Sequence, residues 1–565
     1  MCFNRNMGAV LSALTIAVAV GCPALPAADL ADAAAAEMRR AVRPGGVEGR
    51  PFWNANCSYF MYPPAFDFKD VPNATTYAFS VIDDLHHEHR FEAPTPRASL
   101  LPVWEKVRDQ GFVTVRCMGL DGSGRPLGEA GCRRLFKKAP YRPDSYPPAA
   151  RSYADCAGRV YDYLAATRAV RNFAKSGVPP GYDLYCYPSK MIAALATAML
   201  CRAERVPEAR EESEKAARVM LDYLLGESFG DGAVWAGCPP TYGPKTRADA
   251  KEIMTVYPAS VGMALLRAAT ALKETRYLDA AVKIGETYLR MQGEDGTWCL
   301  KVNGEDGRCL TKNRLVPSAP VPFLEELARA TGKRKYGESA DRAFAYVEKK
   351  VLASWNWEGQ FEDTAPSRPY ENLTKHDACW TAMELLRRHP GDRERTAEAR
   401  ELLRFAEDQF VFWEKPTRRD GEGMMEKGLF LDDFRKETWT VPTVIEQWPT
   451  CAWPIDSSVA KLIRTYLALY RAEGNPLDLA KAKTLGDVLT RVQEPSGRTG
   501  RPNGSGLAKC VPHHRPGGRR GWRRRRASSI RSTEASAGAR RSALRRECPT
   551  ISVIRRRLSF PGDGS

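Results

Sequence analysis

The chain has 565 residues, 15 of them Cys, with 43% hydrophobic and 27% charged side chains, the composition of a large folded body and not of a disordered polymer. Its formal net charge of +17 lies almost wholly in residues 498–565, where 18 basic side chains face three acidic ones, so the preceding 497 residues carry a net charge of only +2. This excludes an electrostatic footprint for nucleic acid on the body, because such a footprint needs cations clustered on a folded surface.

At the amino terminus, Arg5 precedes the 14-residue apolar run "MGAVLSALTIAVAV", too short to span a bilayer, and small residues follow in "GCPALPAADL". Residues 1–28 therefore read as a signal peptide, and the protein is expected to be exported. "AVGC", ending at Cys22, is a loose lipid-attachment pattern, so periplasmic, secreted and surface-lipoprotein destinations stay open.

Residues 51–140 read as strands. "AFDFKDV", "TYAFSVID", "HRFEA" and "GFVTVRCMGL" are short, alternating and rich in Phe, Val and Tyr, and "DGSG" from Asp121 marks a hairpin turn. About ninety residues of this kind predict a small β-sandwich. "HHEH" at 86–89 falls in a turn of that domain without further ligands nearby, and no metal site is expected there. The cysteines offer no C-x-x-C spacing, which disfavours structural zinc. Cys299 and Cys309 flank a short turn and either bridge across it or remain buried thiols.

The Pro-rich stretch "APYRPDSYPPAARSY" is a linker, and the pattern from residue 150 to 497 is helical. Here a unit recurs: a short opening, an Ala/Leu-rich helix, a polar turn and a second amphipathic helix. The openings are "YPSKMIAALATAM" at Tyr187, "YPASVGMALLRAA" at Tyr257, "VPSAPVPFLEELA" at Val316, "KHDACWTAMELL" at Lys375 and "PIDSSVAKLIRTYLALY" at Pro454. The turns that end two second helices, "QGEDGTW" and "QEPSGRT", align Gln292 with Gln493 and Gly296 with Gly497. First helices are apolar on most of their circumference and second helices are striped, which predicts two concentric layers with the first helices inside. The match breaks at Arg498. Residues 498–565 read as a disordered basic tail of the kind a shifted frame in a high-GC gene produces, leaving the ring short of its last hairpin.

The alternation of hairpins over 150–497 and the "QGEDGTW" turn resemble the six-hairpin α/α toroid of carbohydrate-processing proteins. The fold class implied is mainly α, an α/α toroid preceded by a β-sandwich similar to fibronectin type III or immunoglobulin-like modules. The toroid hosts glycosidases, lyases, epimerases and terpene cyclases, so the resemblance transfers no catalytic residue.

Parallel inner helices would point their N-termini at one mouth, with open N–H groups and positive dipole ends. Tyr187, Tyr257, His376, Asp377 and Asp456 open those helices. Asp183, Tyr185, Arg314 and Glu446 lie on the loops that feed them. The loop "WNWEGQFEDTAPSRPYENLTKHDACW" adds Trp357, Glu362, Asp363 and Tyr370, a mixture of aromatic planes and carboxylates suited to sugar recognition. Asp377 and Asp456 also fit as N-caps. The catalytic candidates are Asp377, Glu362, Asp183, His376 and Asp456; the substrate-binding candidates are Tyr185, Tyr187, Tyr257, Arg314, Trp357, Asp363, Tyr370 and Glu446. Three functions are open: a glycoside hydrolase with Asp377 or Glu362 as acid and Asp183 or Asp456 as its partner, a polysaccharide lyase with Tyr187 or His376 as base, and a non-catalytic glycan-binding surface protein. The expected partner is carbohydrate, with no cofactor, metal or nucleic acid.

Overall fold

The computed structural model describes residues 27–40, 57–178, 188–241, 251–355, 357, 374–415, 441–446 and 455–498. The apolar run before Ala27 and the basic tail lie outside these residues. Helix α1 (Ala27–Met38) precedes the sheet, and α2 (Tyr153–Ala166) and the short α3 (Arg168–Ser176) follow it. Five helix pairs come next: α4 (Pro188–Arg205) with α5 (Arg210–Gly226), α6 (Val256–Leu272) with α7 (Thr275–Met291), α8 (Pro320–Thr331) with α9 (Arg334–Tyr346), α10 (His376–Arg388) with α11 (Arg393–Phe410), and α12 (Asp456–Glu473) with α13 (Pro476–Val492).

The first helix of each pair forms the inner layer, as the apolar pattern requires. On α6 the buried set includes Tyr257, Ala259, Val261, Ala264, Leu265 and Leu266, which together go round the helix. On its partner α7 the set narrows to one stripe through Tyr277, Ala281, Ile284 and Tyr288. Inner helices pack side by side in chain order and run the same way. Lys190 in the first turn of α4 lies 5.4 Å from the ring centre of Tyr257 in the first turn of α6. Gly262, two turns into α6, meets the Phe323 ring at the start of α8. Arg387 of α10 donates to Glu325 of α8 at 2.7 and 2.8 Å, and Lys461 of α12 reaches His376 of α10.

Two outer helices, α7 and α13, end in a glycine turn that docks on another outer helix. After α7, the Gln292 side-chain amide donates to Gly296 O at 2.7 Å and to Ser339 O of α9 at 2.9 Å. After α13, the Gln493 amide donates to Gly497 O at 3.2 Å and to Cys156 O of α2 at 2.8 Å. Gly296 (φ 89°) and Gly497 (φ 84°) are left-handed, and a Cβ on either would run into a backbone carbonyl, that of Arg342 or of Arg159. The two joints correspond contact for contact, with Ser339 and Arg342 matched by Cys156 and Arg159. Helix α2 thus stands where α9 stands, as an outer helix beside α13, held also by Tyr153 donating to Asp487. The lead helix "YADCAGRVYDYLAA" thus supplies an outer member from the other end of the ring.

The amino-terminal strands are β1 (Tyr59–Phe60), β2 (Thr76–Asp83), β3 (Glu88–Ala93), β4 (Gly111–Leu120) and β5 (Pro126–Lys137). They form one sheet of order β1-β5-β4-β2-β3, antiparallel except for the β1–β5 pair. β2 alternates strictly between buried and half-buried residues, as its period-two sequence predicts. "AFDFKDV" does not form a strand and contributes only the bridge Ala65–Ser99. The second sheet of a sandwich is not found among the described residues. The ring takes its place: Tyr59, Phe79, Val113, Val115 and Phe136 share one apolar cluster with Leu402, Phe405 and Phe410 of α11. A sheet with one apolar face must cover it with something, and here helices do so.

The sheet is fastened to α11 by a buried carboxylate. Asp408 Oδ1 accepts the backbone N–H groups of Met61 and Tyr62, each at 2.7 Å, and Lys138 Nζ donates to Val411 O at 2.6 Å. Burial pushes the Asp408 carboxyl up to about 6 and the Lys138 amine down to about 8. A folded-state carboxyl pKa above the unfolded value of about 3.9 means that the folded protein holds its proton more tightly, so stability falls as pH rises from about 4 to about 6. At about 1.4 kcal/mol per pKa unit the loss is about 3 kcal/mol. Asp408→Asn keeps Oδ1 as the acceptor for both amides, so denaturant melts across that pH window should lose this slope while the fold is retained.

Candidate functional site

The first turns of α10 and α12 and the segment 441–446 bring a group of ionisable side chains together out of water. Segment 441–446 is held by β7 (Thr443–Val444), which pairs antiparallel with β6 (Val411–Phe412) directly after α11. The next link, Ile445 N to Phe410 O at 2.9 Å, leaves Glu446 facing the start of α10. His376 Nε2 lies 3.0 Å from Glu446 Oε1, and His376 Nδ1 lies 2.8 Å from Lys461 Nζ on α12. Lys375 Nζ donates to Ile445 O at 2.6 Å, Glu446 O at 2.8 Å and Ser458 Oγ at 2.6 Å, and pairs with Glu446 Oε2 at 3.3 Å. Ser458 closes the circuit by donating to Glu446 Oε2. Lys375, His376, Glu446 and Lys461 are all more than nine-tenths buried.

Charges this deep persist only if they compensate one another. Burial pushes the Glu446 carboxyl up, but Lys375, His376 and Lys461 outweigh it and hold the carboxyl well below its usual range. Burial lowers the His376 pKa well below 6.5, and the Lys461 charge adds to the effect against the opposing pull of Glu446. Burial likewise lowers the Lys375 pKa, with Glu446 pulling the other way. His376 is therefore a neutral imidazole, and its tautomer follows from its neighbours. An ammonium has only protons to offer, so Lys461 donates to Nδ1 and Nε2 carries the hydrogen, which it donates to Glu446.

Asp377 and Asp456, 2% and 8% exposed, open α10 and α12 directly beside this group. Four of the residues proposed from the sequence, His376, Asp377, Glu446 and Asp456, thus belong to one neighbourhood. Tyr257 lies on another part of the inner layer, in the first turn of α6 under Lys190. Trp357 is 1% exposed and packs edge-on against Trp355 at 5.8 Å, which in turn meets Phe405. Arg314 is engaged elsewhere: its Nε and Nη2 hold Asp295 and its Nη2 also donates to Thr297 O at 3.1 Å, bracing the "QGEDGTW" turn. Asp183, Tyr185, Tyr187, Glu362, Asp363 and Tyr370 lie outside the described residues.

Lys461 and Ser458 were missed. Their signal was available: "DSSVAKLI" sets a Ser and a Lys three residues apart, so one face of an inner helix carries two polar groups. What they touch depended on α10 packing beside α12. Cys299 and Cys309 form a disulfide, choosing the bridge over buried thiols. Among the described residues no group of three His, Cys, Asp or Glu side chains is placed to hold a metal, and no helix is long and apolar enough to cross a membrane.

No known family matches the sequence, and no curated protein matches it. Among solved structures, the chain is similar to a family 76 glycoside hydrolase from a bovine Bacteroides thetaiotaomicron strain, at 12% identity over 82% of this chain and 94% of that one, with a TM-score of 0.42. It is similar to the cellobiose 2-epimerase of Spirochaeta thermophila at 13% identity, over 58% and 83% of the two chains and a TM-score of 0.40. It is also similar to the unsaturated glucuronyl hydrolase of Bacillus sp. GL1 at 16% identity, over 51% and 74% and a TM-score of 0.32. These likenesses assign no residue a role.

The Lys461 ammonium at Nδ1 is one cause of the low His376 pKa. Lys461→Met should let that pKa rise toward 6.5, read by NMR titration of labelled histidine, with the wild-type ring staying neutral in mild acid. An identical titration in the variant would contradict the assigned tautomer.

Proposed function

We propose that the protein is an exported glycoside hydrolase that cleaves an oligosaccharide or polysaccharide with a pair of carboxylates. Asp377 donates a proton to the leaving oxygen and Asp456 activates the attacking water or attacks the sugar. The observation that carries this reading is the placement of the two carboxylates at the N-terminal ends of adjacent inner helices, beside a buried circuit that holds both helix starts. Helix N-termini stabilise negative charge, which suits a carboxylate that must ionise during the reaction. Lys375, Glu446, Ser458, His376 and Lys461 act as positioning residues that keep α10 and α12 in register.

His376 also bears on the choice between hydrolysis and elimination. A lyase base must have a lone pair free to take a proton, and both ring nitrogens of His376 are already engaged, by Lys461 and Glu446. This favours carboxylate chemistry. Support for export comes from the amino-terminal pattern and from the Cys299–Cys309 disulfide, a bond that persists in oxidising compartments. Attachment of lipid at Cys22 remains part of the proposal.

The test is a panel of neutral and uronate-containing polysaccharides assayed for new reducing ends. Asp377→Asn and Asp456→Asn should each lower turnover by about 10²–10⁴-fold with little change in melting temperature. Products carrying the ultraviolet absorbance of an unsaturated uronate would replace the hydrolase by a lyase. Glycan binding without turnover would leave a binding protein.

A further inference from the structure

Between α7 and α8 the chain doubles back through the disulfide loop, and there the backbone register decides which side chains look into the ring. Cys299 and Arg314 are bridge partners on antiparallel segments, with Leu315 N bonded to Trp298 O and Leu300 N bonded to Asn313 O, both at 2.9 Å. Side chains directly opposite one another share a face, and neighbours along the chain alternate. Cys299 and Arg314 therefore share the outer face, with Asp295. Trp298, Leu300, Asn313 and Leu315 share the other, and all four are buried to 1% exposure or less. That face belongs to the apolar cluster that includes Ile192, Tyr257 and Phe323 of the inner helices.

Asn313 is the polar member of this inward face. Neither its Oδ1 nor its Nδ2 has a hydrogen-bond partner among the described residues. A buried amide with both ends open is uncommon in a folded protein and costly to keep. A second such group occurs at the same end of the ring. Ser189, in the first turn of the 18-residue α4, is 1% exposed and its Oγ has no partner among the described residues. The two are linked through the structure. Lys190 covers Tyr257 at the start of α6, Thr255 just before it donates to Leu300 O at 3.0 Å, and Leu300 pairs with Asn313.

We propose that Asn313 is a substrate-binding residue that takes a pair of neighbouring hydroxyls on a neutral sugar unit, with Ser189 as a second hydroxyl-binding group at the same mouth. This inference rests on the carbohydrate reading above. An amide offers an acceptor and a donor side by side, and a vicinal diol can donate to Oδ1 while accepting from Nδ2. A carboxylate can only accept, so it would satisfy Nδ2 and repel Oδ1. Arg314, a substrate-binding candidate whose cation could pair with a uronate, lies on the opposite face and is held by Asp295.

The two functions of a buried polar group, structure and binding, separate on replacement by an apolar residue of similar size. Asn313→Leu removes two polar atoms that have no partner, so its melting temperature should equal or exceed that of the wild type. Its affinity for neutral gluco-, manno- or galacto-oligosaccharides, measured by calorimetry, should fall by about 10- to 100-fold. Ser189→Ala should keep the melting temperature and weaken the same ligand less. A large fall in melting temperature on Asn313→Leu overturns the proposal, since the side chain would then hold the fold. Unchanged affinity in both variants overturns it as well, as does a wild-type protein that binds oligogalacturonides and no neutral sugar. A wild type that binds no saccharide of either class brings down the carbohydrate reading itself, and this inference with it.

Discussion

Two joints, after α7 and after α13, fix how one outer helix hands over to the next. Gln292 and Gln493 each spend one side-chain amide on two carbonyls, one in their own turn and one on the next outer helix. The glycine four residues on lets the two backbones approach to a distance no side chain would permit. Because the turn is short and tied at both ends, it leaves little freedom in the angle between successive hairpins. The inner helices then all enter from the same end. That shared direction sets Lys190 beside Tyr257 and His376 beside Lys461.

Inner helices that converge on one end place polar first turns in a region where water is scarce. The structure meets that cost in two ways. Around Glu446 two ammonium groups, one carboxylate and a neutral imidazole are linked by hydrogen bonds: Lys375 pairs with Glu446, and Lys461 donates to His376, which donates to Glu446. Around α4, α6 and α8 the Lys190 ammonium lies over the Tyr257 ring, and the neutral Asn313 and Ser189 stay unsatisfied among the described residues. In the first arrangement, removal of Lys375 or Glu446 strands a buried charge. The second leaves polar atoms without a partner among the described residues, which is where a saccharide is proposed to bind.

The amino-terminal sheet obeys the same economy of covering surfaces. Its apolar face lies on α11 and its neighbours, and Asp408 and Lys138 fasten the contact through backbone groups instead of side-chain pairs. Such bonds fix the position of a strand more closely than an ion pair between long side chains does, since backbone groups carry no rotamer freedom of their own.

The sequence by itself determined the hairpin repeat, the inner and outer layers, strands β2 and β4 and the equivalence of Gln292 with Gln493, because each rests on local periodicity or on a turn that only glycine allows. It also located His376, Asp377 and Asp456, since helix starts are marked in sequence. Only the tertiary structure decided that α2 closes the ring from the outside, that the sheet leans on helices where a second sheet was expected, and that Lys461 sits against His376. It alone decided that Asn313 looks inward while Arg314 looks out. The physical reason is common to all four: each depends on which surfaces meet across tens or hundreds of residues, and a one-residue change of register, invisible in composition, sends a side chain to the opposite face.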